Sequence, residues 1–143
     1  MEELRVSTDK RELDVDLIHR FLAEESTWAA GIPRELVERS IQHSLCFGGY
    51  YGATQVAFAR VVSDYATFAN LVDVFVLPTY RGRGYSKALV AAVLAHPRLQ
   101  GLRRFTLATW DAHGLYSQFG FAPLRQPETF MERHVPNVYA AAR

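Results

Sequence analysis

The chain has 143 residues, 49% of them apolar and 13% aromatic, and its 16 Lys and Arg against 15 Asp and Glu leave a net charge of +1. That length suits one domain around one core, the composition excludes disorder, and the balanced charge excludes a general nucleic-acid footprint. No apolar run approaches the roughly 20 residues of a membrane span, MEELRVSTDKRELD lacks the apolar stretch of a secretory signal, and the lone Cys46 excludes an internal disulfide. The expectation is a cytoplasmic protein, one domain over residues 1–143, with 136–143 as a loosely attached tail.

Leu4 to Ser7 read as a short first strand. Asp14 or Asp16 caps a helix whose apolar face is Leu17, Ile18, Phe21 and Leu22. Residues 24–31, from Glu24 through Trp28 to Gly31, break the pattern as a loop. Pro33 starts a second helix with Leu36, Val37, Ser40 and Ile41 facing in. Leu45 to Tyr51, Gln55 to Ser63 and Phe68 to Leu77 read as strands, joined by turns at Gly52-Ala53-Thr54 and Asp64 to Thr67; Gly48 and Gly49 mark an edge, bulge or kink in the first of them. The next helix ends near Ala95, ahead of Pro97. Phe105 to Thr109 is a buried strand, Ala112 to Phe119 a short helix closed by Gly120, and Phe121 and Thr129 to Arg133 supply the last strands. Tyr139 anchors the tail. The order predicts an α/β (α+β) fold with a mixed sheet and helices on both faces.

The stretch that organises the chain is VFVLPTYRGRGYSKALV, Val74 to Val90. Tyr85, Ala88, Leu89, Ala92 and Val93 recur at the spacing of one buried helix face. The stretch is therefore strand, glycine-rich turn, helix. A helix N-terminus offers unpaired N–H groups and partial positive charge. Gly82 and Gly84 let backbone approach a ligand closely, and Arg81 and Arg83 add charge. The expectation is an anion site for phosphate. A P-loop is excluded, because Lys87 stands where its second glycine belongs, and the dinucleotide fingerprint lacks its third glycine.

What remains, Arg-x-x-Gly-x-Ser over Arg81 to Ser86 directly after V-F-V-L-P-x-Y, resembles the acetyl-CoA pyrophosphate loop of the GNAT N-acetyltransferase superfamily. Ser86 departs from the family's Gly or Ala and is also small. A second segment, Asp111 to Phe121, resembles the family's A-x-x-[LF]-Y-x-x-x-G-F, with Tyr116 at its tyrosine and Gly120-Phe121 at its close. The resemblance spans roughly Leu4 to Arg133. It implies the GNAT-like (acyl-CoA N-acyltransferase) fold, with a mostly antiparallel central sheet, and acetyl-CoA as co-substrate. The cofactor-binding residues it implies are Phe75, Val76 and Leu77 through main chain, where that strand splays from Phe105 to Thr109, and Arg81, Gly82, Arg83, Gly84, Tyr85 and Ser86. One N–H of Phe75 to Leu77, with Val76 and Leu77 preferred, would meet the thioester carbonyl. Tyr116 would act as general acid toward the departing thiolate; for an arbitrary tyrosine, packing and a structural hydrogen bond would be the reading.

The proton lost by an attacking amine needs a base. Asp73, acidic within an apolar strand, is the first candidate, against pairing with Arg60; Glu24 and Glu25, in the loop that lines the acceptor site of this fold, are rivals. Trp28 is read as a wall for substrate, against ordinary packing. No histidine or cysteine spacing suits a metal, so none is expected. Cys46 reads as a buried structural thiol. Arg103-Arg104 read by default as a solvated charge pair, with a contact to the CoA 3′-phosphate as the alternative. The expected reaction is transfer of acetyl from acetyl-CoA to a primary amine by direct attack in a ternary complex. Trp28, Tyr50, Tyr65 and Phe68 favour a small amine with an apolar or aromatic part over a peptide N-terminus or lysine. A non-catalytic acyl-CoA-binding module and an RNA-binding RGRGY segment are the other classes. Expected partners are the amine and a homodimer mate, with no nucleic acid and no membrane.

Overall fold

The computed structural model describes residues 3–142. One five-stranded sheet runs in the order β1-β2-β3-β4-β5, with β1 at Arg5–Ser7, β2 at Leu45–Tyr51, β3 at Thr54–Ser63, β4 at Phe68–Val76 and β5 at Arg104–Leu107. The first four strands pair antiparallel and β5 joins β4 in parallel, because the crossover between them contains helix α3, Tyr85–Ala95.

Period-2 alternation sends the strands' side chains to two layers. Ala57, Ala59, Val61 and Leu71 face α3 and meet its Leu89, Val90 and Val93. Cys46, Phe58 and Phe75 face the other way, against α1 (Val15–Arg20) and α2 (Arg34–Gln42). Asp14 caps α1, its Oδ1 accepting from Leu17 N–H at 3.1 Å. Past Arg20 the helix widens into a π turn over Phe21–Glu25, and Phe21 stacks on Phe75 with ring centroids 3.9 Å apart. Pro33 sets the start of α2, whose Val37 and Ile41 are buried. The mixed sheet with helices on both faces is as the sequence predicts.

The C-terminal part differs from its prediction. A short α4, His113–Ser117, forms after β5, but neither Phe121 nor Thr129 to Arg133 becomes a strand. Only a 3-10 turn, Pro127–Thr129, interrupts the segment. Its apolar residues find no second face to alternate against, and residues 122–138 are exposed. Tyr139 touches the α1–α2 core layer, as expected of it.

Two local features shape the C-terminal half of β4. Its pairing with β5 stops at Leu71–Leu107 while β4 itself continues to Val76, so the strands part over that last stretch. Opposite, Phe58 pairs with Phe75 and Arg60 with Val72, which leaves Asp73 and Val74 against Ala59 alone. This is a one-residue β-bulge, and Asp73 sits in it at φ 56.

Candidate active site

The parted tip of β4 runs through a 3-10 turn, Pro78–Tyr80, into the N-terminus of α3. There a cleft of about 200 Å³ is lined by Val76, Tyr80, Arg81, Gly82, Gly84, Tyr85, Ser86 and Lys87. Gly82 and Gly84 both have φ 79, the left-handed region that glycine enters without strain. A Cβ on either would meet nothing within 4 Å, so the space above the loop is open. The first backbone bond of α3 runs from Ala88 N–H to Gly84 C=O, and no side chain caps the helix. Its first turn has no acidic residue and carries Lys87. An uncapped N-terminus with added cations and open glycines is a cradle for an anion such as pyrophosphate.

Arg81 and Arg83 do different things. Arg81 Nε donates to Val76 C=O at 2.9 Å and ties the loop to the strand tip. Arg83 lies over the rings of Tyr51 and Tyr80, at 5.7 and 5.0 Å from their centroids. Tyr51 is the last residue of β2, and a sequence reading had no means of bringing it here. Lys87 was also missed, although a lysine in a helix's first turn opposes the dipole unless an anion is present, and that signal was available.

The main-chain candidates separate. Leu77 N–H donates to Val56 C=O at 2.8 Å. Alternation along the antiparallel pair then makes Phe75–Phe58 hydrogen-bonded and Val76–Ala57 not. Phe75 and Leu77 are therefore corrected as donors, since the sheet uses their N–H groups. Val76 N–H turns toward the side that β5 has vacated, as does its carbonyl, which Arg81 meets.

Tyr116 lies on α4 at 7% exposure, edge-on to Phe121 at 5.9 Å. Burial pushes its phenol above the ordinary value, so it holds its proton at neutral pH.

Asp73 is not poised as a free base. Oδ1 accepts from Trp28 Nε1 at 2.8 Å and Oδ2 from Arg60 Nε at 2.9 Å, while Arg60 also reaches Ser44 Oγ at 2.9 Å. The pairing with Arg60, weighed from the sequence as the alternative, is what the structure holds. Trp28 is 53% exposed, with its indole fixed by that bond. Glu24 is exposed on the π turn.

The other aromatic candidates for the acceptor side are not gathered at this cleft. Tyr50 is buried and its hydroxyl, pushed up to about 12 by burial, finds no partner among the described residues. Tyr65 sits under Arg98, and Phe68 begins β4. That end lies about 26 Å along the strand from Val76, at some 3.3 Å per residue. Arg104 pairs opposite Phe68 at the same far end, so it and Arg103 lie away from the loop at Arg81 to Ser86. Among the described residues no His, Cys, Asp and Glu grouping could hold a metal ion, and no helix is long and apolar enough to cross a membrane.

Residues 15–121 match the model of the Acetyltransferase (GNAT) family. A crystal structure from Xanthomonas campestris, provisionally assigned to the same family, is 63% identical, covers 98% of this chain and 99% of its own, and superposes with a TM-score of 0.95. A curated protein of Gibberella zeae, provisionally named an acetyltransferase, is 32% identical over 79% of this chain and 75% of its own length. A predicted acetyltransferase of Clostridium acetobutylicum, solved with acetyl-CoA, shares the fold at 14% identity and a TM-score of 0.67, over 94% and 96% of the two chains.

Proposed function

The chain belongs to the Acetyltransferase (GNAT) family, and from that membership we propose that it transfers acetyl from acetyl-CoA to the primary amine of a small molecule, by direct attack in a ternary complex. The observation that carries this reading is the cleft at the α3 N-terminus, continuous with a strand tip whose Val76 N–H faces outward beside it. Acetyl-CoA supplies the activated acetyl group. The amides at the start of α3, with Gly82, Gly84 and the Lys87 ammonium, hold the pyrophosphate. Val76 N–H, fixed in the sheet, donates to the carbonyl oxygen as negative charge grows on it. Tyr116, kept protonated by burial, gives its proton to the departing sulfur. Asp73 is a positioning residue that fixes Trp28 and Arg60. Glu24 and Glu25, both exposed on the π turn, are the carboxylates left to receive the amine's proton, and Trp28 is the platform against which the acceptor lies.

The test is calorimetric titration with acetyl-CoA, with desulfo-CoA and ATP as controls. Micromolar binding that Gly84→Glu abolishes is expected, since that side chain would enter the open space above the loop and repel phosphate. Absence of binding at millimolar acetyl-CoA would overturn the reading.

A further inference from the structure

Past Arg20, α1 does not end but opens into the π turn Phe21–Glu25. Ser26 N–H donates to Phe21 C=O at 2.9 Å, and the Ser26 hydroxyl donates to Leu22 C=O at 2.6 Å and accepts from Ala29 N–H at 3.1 Å. Single π turns are rare and occur frequently where a functional site is shaped. This one opens on Phe21, whose ring lies flat on Phe75, with 3.9 Å between centroids and 12° between planes. Aromatic pairs ordinarily settle offset or edge-on at roughly 4.5–7 Å. The closer, flatter stack is therefore held by the backbone on both sides. Phe58 is tilted against Phe75 at 5.8 Å, and Leu22 is buried in the same layer.

Given acetyl transfer as proposed above, that stack borders the acyl group. The Phe75 Cα is separated from the Val76 nitrogen only by its own carbonyl carbon. A thioester oxygen accepting from Val76 N–H puts the acyl methyl within about 6 Å of that nitrogen. A thioester is planar, so placing its oxygen and sulfur fixes the direction of the methyl. Val76 takes the oxygen. The sulfur lies toward Tyr116, which belongs to the α3 layer. The third in-plane direction leads to the other face of the sheet, where Phe75 and Phe21 are buried. The amine attacks across that plane, from the side of Asp73, where the Trp28 indole is tethered.

We propose that Phe21, stacked on Phe75 at the π turn, limits the acyl donor to a short chain, with acetyl strongly preferred over butyryl. Phe75 meets the methyl, and Phe21 holds the Phe75 ring in place as a positioning residue. The ring pair closes the α1–α2 face behind the methyl, and a butyryl chain runs into it. This rests on the acetyl-CoA reading and adds the residues that decide which acyl-CoA is accepted.

Calorimetric titration of the full chain with CoA, acetyl-CoA, propionyl-CoA and butyryl-CoA tests this without an acceptor, CoA giving the affinity common to all four. The parent should bind butyryl-CoA at least about tenfold more weakly than acetyl-CoA, the scale on which an apolar pocket reads a methylene. Phe21→Leu, which keeps an apolar side chain in the layer, should narrow that ratio by at least about threefold. Phe21→Ala should narrow it further, with a melting curve to show that the variant is folded. Ile41→Val, in the same layer but outside the stack, should leave the ratio where it is. Butyryl-CoA and acetyl-CoA bound alike by the parent overturn the gate and leave the acetyl-CoA reading standing. So does a ratio that Phe21→Leu leaves unchanged, or that Ile41→Val moves equally. No binding of any of the four at millimolar concentration removes that reading and the gate with it.

Discussion

At Asp73 one residue meets three demands. It occupies the extra position of a bulge at positive φ, it holds the Trp28 indole, and it neutralises Arg60. Aspartate and asparagine tolerate the left-handed region better than other non-glycine residues. Asp73→Asn should therefore keep the bulge but leave Arg60 without its counter-charge, where the pair's side chains are 16% and 8% exposed. We expect a loss of about 2 kcal/mol by thermal or urea unfolding, partly recovered when Arg60→Met is added. No recovery would mean that the backbone, and not the charge, is the sensitive element. Tyr116 gives the residue-scale prediction for chemistry. Tyr116→Phe should lower kcat by roughly a hundredfold or more in a thiol-release assay, with acetyl-CoA affinity unchanged. An unchanged kcat across pH would remove the acid role.

At the scale of elements, the β3–β4 turn offers a clean pH test. Asp64 accepts from Ala66, Thr67 and Phe68 N–H and from the Thr67 hydroxyl, and these bonds, led by the Thr67 hydroxyl, hold its carboxyl well below the ordinary range. A carboxyl with a lowered native value stabilises the fold above its unfolded value and loses that contribution as pH falls through the native one. The melting temperature of Asp64→Asn should thus lie below the parent's at neutral pH, and the gap should close in strong acid. A gap that is constant with pH would exclude ionisation as its cause. The elements that sequence reading located well are those with strong local signals: the Asp14 cap, Pro33 ahead of α2, and the strand–glycine–helix unit around Arg81 to Ser86. The bulge was not legible, since an extra residue in a strand leaves no mark in a period-2 pattern when both phases are apolar. Nor was the choice of Val76 over Leu77, which depends on how β3 registers with β4. The final strands failed for a different reason. TFMER, Thr129 to Arg133, has strand composition, but composition does not say where a pairing edge lies.

For the whole molecule, the buried Cys46 reports on integrity. It is 1% exposed, between the sheet and the α1–α2 layer, and burial pushes its thiol up to about 11. The native thiol is thus both covered and almost wholly protonated at neutral pH. Its labelling by a disulfide reagent should be slow and should rise with denaturant in step with the loss of circular dichroism. Prompt labelling of native protein would show that this layer opens by itself. The two layers share β4, whose phase shift at Asp73 turns Leu71 toward α3 and Phe75 toward α1. Loosening of one layer therefore bears on the strand that lines the cleft.

The parting of β4 from β5 also predicts a pattern in time. Neighbouring amides at the strand tip face opposite ways, Leu77 into β3 and Val76 into the opening. In heavy water the two deuterons should arrive at very different rates, Val76 early and Leu77 late. A molecule seated in the opening would slow the first and leave the second almost untouched. That single pair of neighbours makes the strand tip its own occupancy gauge, readable before any acceptor is known.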